Sequence, residues 1–239
     1  MFVGEARLPP GLRIYAVGDV HGRADCLAVI FDLIADDRAQ SPPVRSQIVM
    51  LGDYTDRGPH SMQVIETLAD LTRDADFICL KGNHDQWLEE FLVAPENGDA
   101  FLYWGGMETL ASYGVDFSSP RQSNAMLSRE LGRKMPKKHR RFLGELRFQH
   151  VAGDYFFAHA GVRPGIPLEE QDPHDLMWIR DEFLLHEGDF GKVIVHGHTP
   201  GMDVDIRRNR INADSRAYET GRLSCIVLEN DSHRILQTG

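Results

Sequence analysis

The sequence predicts an α/β fold built on parallel strands, and three observations predict it. Apolar runs of strand length alternate with amphipathic segments of helical period. Successive strand ends fall roughly 30 residues apart, the length of a βαβ unit. Each run stops at a glycine-flanked polar cluster, as expected where neighbouring parallel strands share a carboxyl edge that binds ligand.

Residues 13–17 read as the first strand, which ends in Gly18-Asp19-Val20-His21-Gly22. Behind it, Leu27, Ile30, Phe31 and Ile34 share one face of a helix. Ser41-Pro42-Pro43 breaks the chain before a second short strand, 48–51. That strand opens into Gly52-Asp53-Tyr54-Thr55-Asp56-Arg57-Gly58, and an amphipathic helix follows over 62–71. Residues 77–80 form a third strand, ending in Lys81-Gly82-Asn83-His84-Asp85, with a helix expected from about Gln86. From 87 to about 144 the pattern is helical and irregular, without a clear strand, and reads as an insertion near the site. Strands resume at 148–151 and 155–157, the second ending in Ala158-His159-Ala160-Gly161. A helix is expected over 176–185, and residues 193–195 then run into His196-Gly197-His198-Thr199-Pro200. The tail, 223–228 and 234–236, reads as antiparallel strands joined at Asn230-Asp231. No linker interrupts this order, so residues 1–239 are read as one domain.

At 239 residues the chain is long enough for a sizeable core. Its 42% hydrophobic and 26% charged residues are ordinary for a soluble globular protein. A net charge of −10 argues against nonspecific nucleic-acid binding, which needs a basic surface. Cys26, Cys79 and Cys225 lack the spacing of a disulfide framework or zinc ribbon and read as reduced thiols. No apolar run is long enough to span a bilayer and no signal-peptide pattern opens the chain, so the expected location is the cytoplasm. Oligomeric state is left open.

The chemistry lies in the polar clusters. The loop from Gly52 to Gly58 offers two carboxylates and a guanidinium. It is either a polar turn with a surface ion pair or a cation ligand beside a phosphate clamp, since Arg suits bidentate phosphate recognition. In an extended segment, residues i and i+2 point to one side, so Asp19 and His21 can hold one cation together. Asp53, one strand over, is placed to bridge it to a second, which Asn83, His159 and His198 complete. Two divalent ions carry about +4, while two Asp and a bridging hydroxide supply about −3, leaving a centre that attracts a phosphate dianion. Metal binding lowers the pKa of water to about 7, so no protein nucleophile is needed. None is evident: six residues after each Cys, where Cys-based phosphatases need Arg, stand Asp32, Asp85 and Asp231. No dinucleotide-binding or Walker glycine pattern occurs.

Taken in order, Gly-Asp-Val-His-Gly, Gly-Asp-Tyr-Thr-Asp-Arg-Gly, Gly-Asn-His-Asp, His-Ala-Gly and Gly-His-Thr resemble the signature blocks of the calcineurin-like metallophosphoesterases. The resemblance is nearest to the phosphoprotein-phosphatase branch in its compact bacterial and phage form. It implies a four-layer αββα sandwich of two mixed β-sheets flanked by helices, with two divalent metal ions, commonly Mn with Fe or Zn as alternatives. By motif, it implies Asp19, His21 and Asp53 on the first metal and Asp53, Asn83, His159 and His198 on the second. His84 is implied as the general acid, with Asp56 orienting its imidazole, and Arg57 as a phosphate-binding residue. Arg180 falls where a second such Arg is expected; its other reading is an ion pair with Asp181 or Glu182 on a helix surface. His196 is two residues from His198, but the Gly-His-Thr pattern selects His198. Asp214-Ser215-Arg216 departs from the family's Asp-Thr-Gly and is given no role.

The expected function is therefore a metal-dependent phosphomonoesterase, foremost a serine/threonine protein phosphatase, in which metal-bridged hydroxide attacks phosphorus in line. The alternative is a symmetrical dinucleoside tetraphosphate hydrolase; relatives of that kind tend to lack the acid before the Arg, which Asp56 supplies here. A metal-binding scaffold without catalysis is the third reading. The expected partner is a phosphorylated protein or a small phosphoester, with neither nucleic acid nor membrane. The basic run from Lys134 to Arg141 is either a solvated helix face or a docking surface. Trp104 and its neighbours are either packing or the lining of the site's mouth.

Overall fold

The structure, a computed structural model, describes residues 1–118 and 122–239. In chain order the elements are β1 (Leu12–Val17), α1 (Ala24–Gln40), β2 (Arg45–Met50), α2 (Ser61–Leu71), β3 (Phe77–Cys79) and α3 (Asn83–Val93). A helical stretch then holds α4 (Asp99–Phe101), α5 (Met107–Ser112), α6 (Asn124–Lys134) and α7 (Lys137–Gly144). The second half runs β4 (Gln149–Ala152), β5 (Tyr155–Ala158), α8 (Pro173–Trp178), α9 (Asp181–Leu184), β6 (Val193–His196), β7 (Asp205–Ile206) and β8 (Arg210–Asn212). It closes with α10 (Ala217–Thr220), β9 (Ser224–Glu229) and β10 (Ser232–Gln237).

Alternation along the strands sets the layers. In β1, Ile14 and Ala16 face the second sheet, while Tyr15 and Val17 face the helices, and all four are buried. Both faces are therefore covered, which is why the strand reads as a nearly continuous apolar run. The first sheet has the order β10-β9-β1-β2-β3 and the second β4-β5-β6-β8-β7. Between them lies one core, with Val49, Leu51 and Ile226 against Phe157, Val195 and Ile211. Outside the first sheet, α1 buries Leu27, Ile30 and Ile34, each worth roughly 1.5–3 kcal/mol. Outside the second, Leu176, Ile179 and Phe183 pack on Phe156 and Ile194. This is the expected α/β sandwich of two mixed sheets between helices.

β1, β2 and β3 are parallel, and so are β5, β6 and β8. Both parallel sets end at one edge, where Gly197 N donates to His159 O at 2.8 Å and Leu51 N to Val17 O at 2.9 Å. The polar clusters meet there.

The structure departs from the sequence expectation in several places, among them α10, which was not expected. The helix expected from Gln86 begins at Asn83, because Asp85 in its first turn reaches back to accept Gly82 N at 2.9 Å. The helix expected over 176–185 is two short ones, since Ile179 is extended and Arg180 takes φ −132°, ψ −103°. β7 and β8 were not expected; each carries a single apolar residue, Ile206 or Ile211, too few for a period to show. Two cations of the basic run are engaged: Lys138 contacts Glu66 and lies 3.2 Å from Asp70, while Lys134 donates to Gly114 O. No described helix is long and apolar enough to cross a membrane.

Candidate active site

Five residues of the clusters, His21, Asp53, Asp56, Arg57 and His198, have left-handed φ between 43° and 71°. Such angles are costly away from glycine and persist where surrounding contacts enforce them. For His21 this replaces the extended conformation expected of its segment. The contacts are specific. Asp85 accepts Asp53 N at 2.9 Å and Tyr54 N at 3.1 Å besides Gly82 N. One carboxylate thus ties the second cluster to the third. Burial and the neighbouring charge of Asp53 push its carboxyl up to about 7, against the three amides that favour its ionised form. Gly82 is obligatory in this corner, because a Cβ there would strike the Asp53 carboxylate.

Two groups of ligand atoms meet within 4.8 Å: His21, Asp53 and His84, and Asp53, His159 and His198. Asp53 belongs to both. Asn83 lies in the second, its Oδ1 2.8 Å from His198 Nδ1 and 3.1 Å from His159 Nε2. Asp19 is in neither group; one of its oxygens accepts His198 N at 3.0 Å, and the other is buried without a hydrogen-bond partner among the described residues. His196, although buried, belongs to neither group: its Nδ1 faces Gly197 O and its ring packs on Phe183.

The donor set fits cations. His21 donates Nδ1–H to Thr55 O at 2.7 Å, and burial keeps the ring neutral, well below its ordinary pKa. Its Nε2 lone pair then faces Asp53 Oδ2 at 3.5 Å, two acceptors opposed with no proton between them. His159 has acceptors at both nitrogens, Leu51 O at 2.9 Å and Asn83 Oδ1 at 3.1 Å. Burial would lower its pKa, but the Asp53 carboxylate raises it to about 9. Its extra proton occupies a place that suits a metal. His198, burdened by burial and by that charge, is pushed down to about 2, and its Nε2 is unpartnered among the described residues. Burial would raise Asp53, yet the imidazoles of His159 and His84 hold it well below the usual carboxylate range.

Beside these groups, His84 donates Nδ1–H to Asp56 Oδ2 at 2.7 Å, and Arg57 Nη2 donates to its Nε2 at 3.1 Å. Asp56 is fully buried and held by Thr109, whose hydroxyl donates to Oδ1 at 2.6 Å. The Arg57 guanidinium lies over the Tyr218 ring, 4.7 Å from its centroid. Arg180 is exposed and lines one cavity with Arg57 and His198; Glu182, offered by the helix-surface reading, pairs with Arg163 instead. Thr109 and Tyr218 carried no signal in the sequence. Asp85 did, as the last residue of its block. Asp214, given no role, is buried close enough to Asp19 for its charge to help burial raise the Asp19 carboxyl.

Residues 12–222 match the calcineurin-like phosphoesterase family. The chain belongs to that family. It is accordingly a hydrolase of phosphoric esters, a class that uses divalent metals. Among curated relatives, this phosphoesterase is 25% identical over 227 residues to the asymmetrical bis(5'-nucleosyl)-tetraphosphatase PrpE of Oceanobacillus iheyensis, covering 85% of this chain and 84% of the relative. It is 35% identical over 115 residues to the symmetrical bis(5'-nucleosyl)-tetraphosphatase of Pseudomonas fluorescens, covering 41% and 37%. Among solved structures, one described as a candidate diadenosine tetraphosphatase superposes with a TM-score of 0.66 at 20% identity, over 98% of this chain and 99% of that one. A cold-active protein tyrosine phosphatase superposes with a TM-score of 0.61 at 19% identity, over 96% and 81%. These two likenesses concern the fold.

Proposed function

We propose that this phosphoesterase hydrolyses dinucleoside tetraphosphates, reversing the order expected from the sequence, in which phosphoprotein came first. The relatives that span most of the chain carry the name bis(5'-nucleosyl)-tetraphosphatase. Asp56 tilted the expectation toward a protein phosphatase, and the position of that residue weakens the tilt. Asp56 is fully buried, with its oxygens on His84 and Thr109. It acts on the imidazole and does not meet a leaving group, so it discriminates poorly between substrates.

The observation that carries the chemistry is Asp53 standing between two ligand groups, beside a cavity with two guanidinium groups. In this reading Asp19, His21 and Asp53 hold one divalent ion, and Asp53, Asn83, His159 and His198 hold the other. Divalent ions held there would supply Lewis-acid chemistry and a lowered pKa for water at neutral pH. The remaining work falls to side chains of the chain itself. Arg57 and Arg180 orient the phosphoryl group, and Tyr218 braces Arg57 from below. With Arg57 drawn from His84 Nε2 onto the phosphoryl group, that nitrogen can carry the proton for the departing oxygen, while Asp56 at Nδ1 stabilises the imidazolium until then. The whole chain, 1–239, is taken as one domain acting in the cytoplasm, in keeping with three free, buried thiols.

The test uses chelator-stripped protein with and without Mn, on diadenosine tetraphosphate and on a phosphoserine/phosphothreonine peptide. Nucleotide products are followed for the first: two diphosphates mark symmetrical cleavage, a triphosphate and a monophosphate asymmetrical. The expected result is a Mn-dependent kcat/KM that is higher for the dinucleotide. A higher value for the peptide would restore the phosphoprotein reading.

A further inference from the structure

Tyr103, 80% exposed, and Trp104, 51% exposed, are the most exposed aromatic residues among the described ones. They are consecutive, and their rings stand edge to face with centroids 5.1 Å apart. Both line a cavity of about 540 Å³ that Arg57, Arg180 and His198 also line. Core packing does not account for them. That role belongs to Phe101, which is buried against the helical layer, with Gly106 leaving room for its ring.

The backbone that turns them outward is irregular. Leu102–Gly106 forms a π-turn, in which Trp104 leaves helical geometry and Gly105 takes φ 111°. π-turns inside helices are rare and frequent at functional sites. Gly105 O accepts Arg57 N at 3.1 Å, and a Cβ on Gly105 would strike the Arg57 backbone. The aromatic pair is thus fastened by one hydrogen bond to the residue proposed to grip phosphate. A flat, exposed indole at a fixed offset from guanidinium groups matches a ligand with a planar base at one end and phosphates at the other. Stacking of this kind tolerates any base, because each has a π-face.

We propose that Trp104, with Tyr103 at its edge, is the stacking platform for a nucleobase of the substrate and sets the preference for nucleotides over base-free polyphosphates. This rests on the dinucleotide reading and specifies how the nucleotide is held. Trp104 is a specificity residue and touches no bond that breaks.

Two constants are measured in the presence of Mn: the KM for diadenosine tetraphosphate, and the Ki of inorganic tripolyphosphate competing against it. Trp104→Ala should raise the KM about ten-fold relative to the Ki, with kcat little changed. Trp104→Phe, which keeps a ring, should retain most of the preference. Leu185→Ala removes an exposed apolar side chain outside this cavity and should move neither constant. If Trp104→Ala leaves the ratio of the two constants unchanged, the platform is wrong although the dinucleotide reading survives. A wild-type enzyme that leaves the dinucleotide intact defeats that reading, and the platform with it.

Discussion

His84 Nδ1 lies 2.7 Å from Asp56 Oδ2, and the other oxygen of that carboxylate takes the Thr109 hydroxyl at 2.6 Å. Both oxygens are engaged, so the imidazole can neither rotate nor exchange tautomers without breaking a buried contact. His84→Asn should lower kcat at least about 100-fold while KM changes little, because general acid catalysis acts on the transition state. Thr109→Val frees one carboxylate oxygen and removes an acceptor of Asp56 N, leaving the His84 contact in place, and a loss of about ten-fold is expected. Steady-state kinetics on both variants decide this. Equal losses would mean that Thr109 holds the fold and not the alignment.

Gly82→Ala should be among the most damaging single methyl additions in the protein. The new Cβ would overlap the Asp53 carboxylate, which is the oxygen source shared by both ligand groups. Overpacking of this kind costs roughly 1–3 kcal/mol. Urea unfolding should report that loss, and elemental analysis of the purified variant should find less bound metal than in the wild type. A variant with full metal content would contradict the geometry.

Removing metal should cost stability as well as activity. Without a cation, His21 Nε2 and the Asp53 carboxylate oppose each other, and Asp19 keeps a buried oxygen unpartnered among the described residues. A divalent ion at 100 times its Kd adds about 2.7 kcal/mol to the folded state. Chelated protein should therefore melt several degrees lower and recover when Mn is returned. A Tm indifferent to the metal would show that these side chains hold none.

A pH effect on stability is expected at a residue that does not line the cleft. His139 is fully buried; its Nδ1 takes the Tyr113 hydroxyl at 2.8 Å, and its Nε2–H goes to Glu66 at 2.6 Å. Burial lowers its pKa below the ordinary 6.5 despite Glu66. On acidification the unfolded chain therefore takes the proton first. The contribution of His139 to stability is full above about pH 6.5 and is lost as pH falls from there toward the folded value. Urea midpoints at pH 8 and pH 5.5 should fall further in the wild type than in His139→Gln.

The meeting of Asp19, His21, Asp53, Asn83, His84, His159 and His198 at one edge was legible in the sequence. Each follows an apolar run beside a glycine, and parallel strands bring such ends together. Less visible was what fixes them. Thr109 and Tyr218 come from helices whose sequences look ordinary, and only the tertiary contact reveals their use. Left-handed φ at His21 or Asp53 leaves no mark, since the enforcing hydrogen bonds come from Asp85 and from backbone more than 30 residues away. Arg180 was placed on a helix surface or in the cleft; the break at Ile179 leaves it lining the cleft, and neither residue is a helix breaker by type. Asp56 tilted the expectation toward a phosphoprotein, whereas the relatives that span most of the chain carry the name bis(5'-nucleosyl)-tetraphosphatase; its partner His84 was legible, but its enclosure with Thr109 was not.

The hydrogen bond from His198 N to Asp19 joins residues 179 positions apart. On a ribosome elongating at roughly 5–20 residues per second, Asp19 emerges about 10–40 s before its partner. β1 also waits for β9, which pairs with it from near the end of the chain. The first βαβ units can assemble early, but they do so around Asp19 and Asp53, whose partners His198 and His159 are still unsynthesised. Until then the nascent chain presents an open edge of β1 beside two carboxylates that await their late partners.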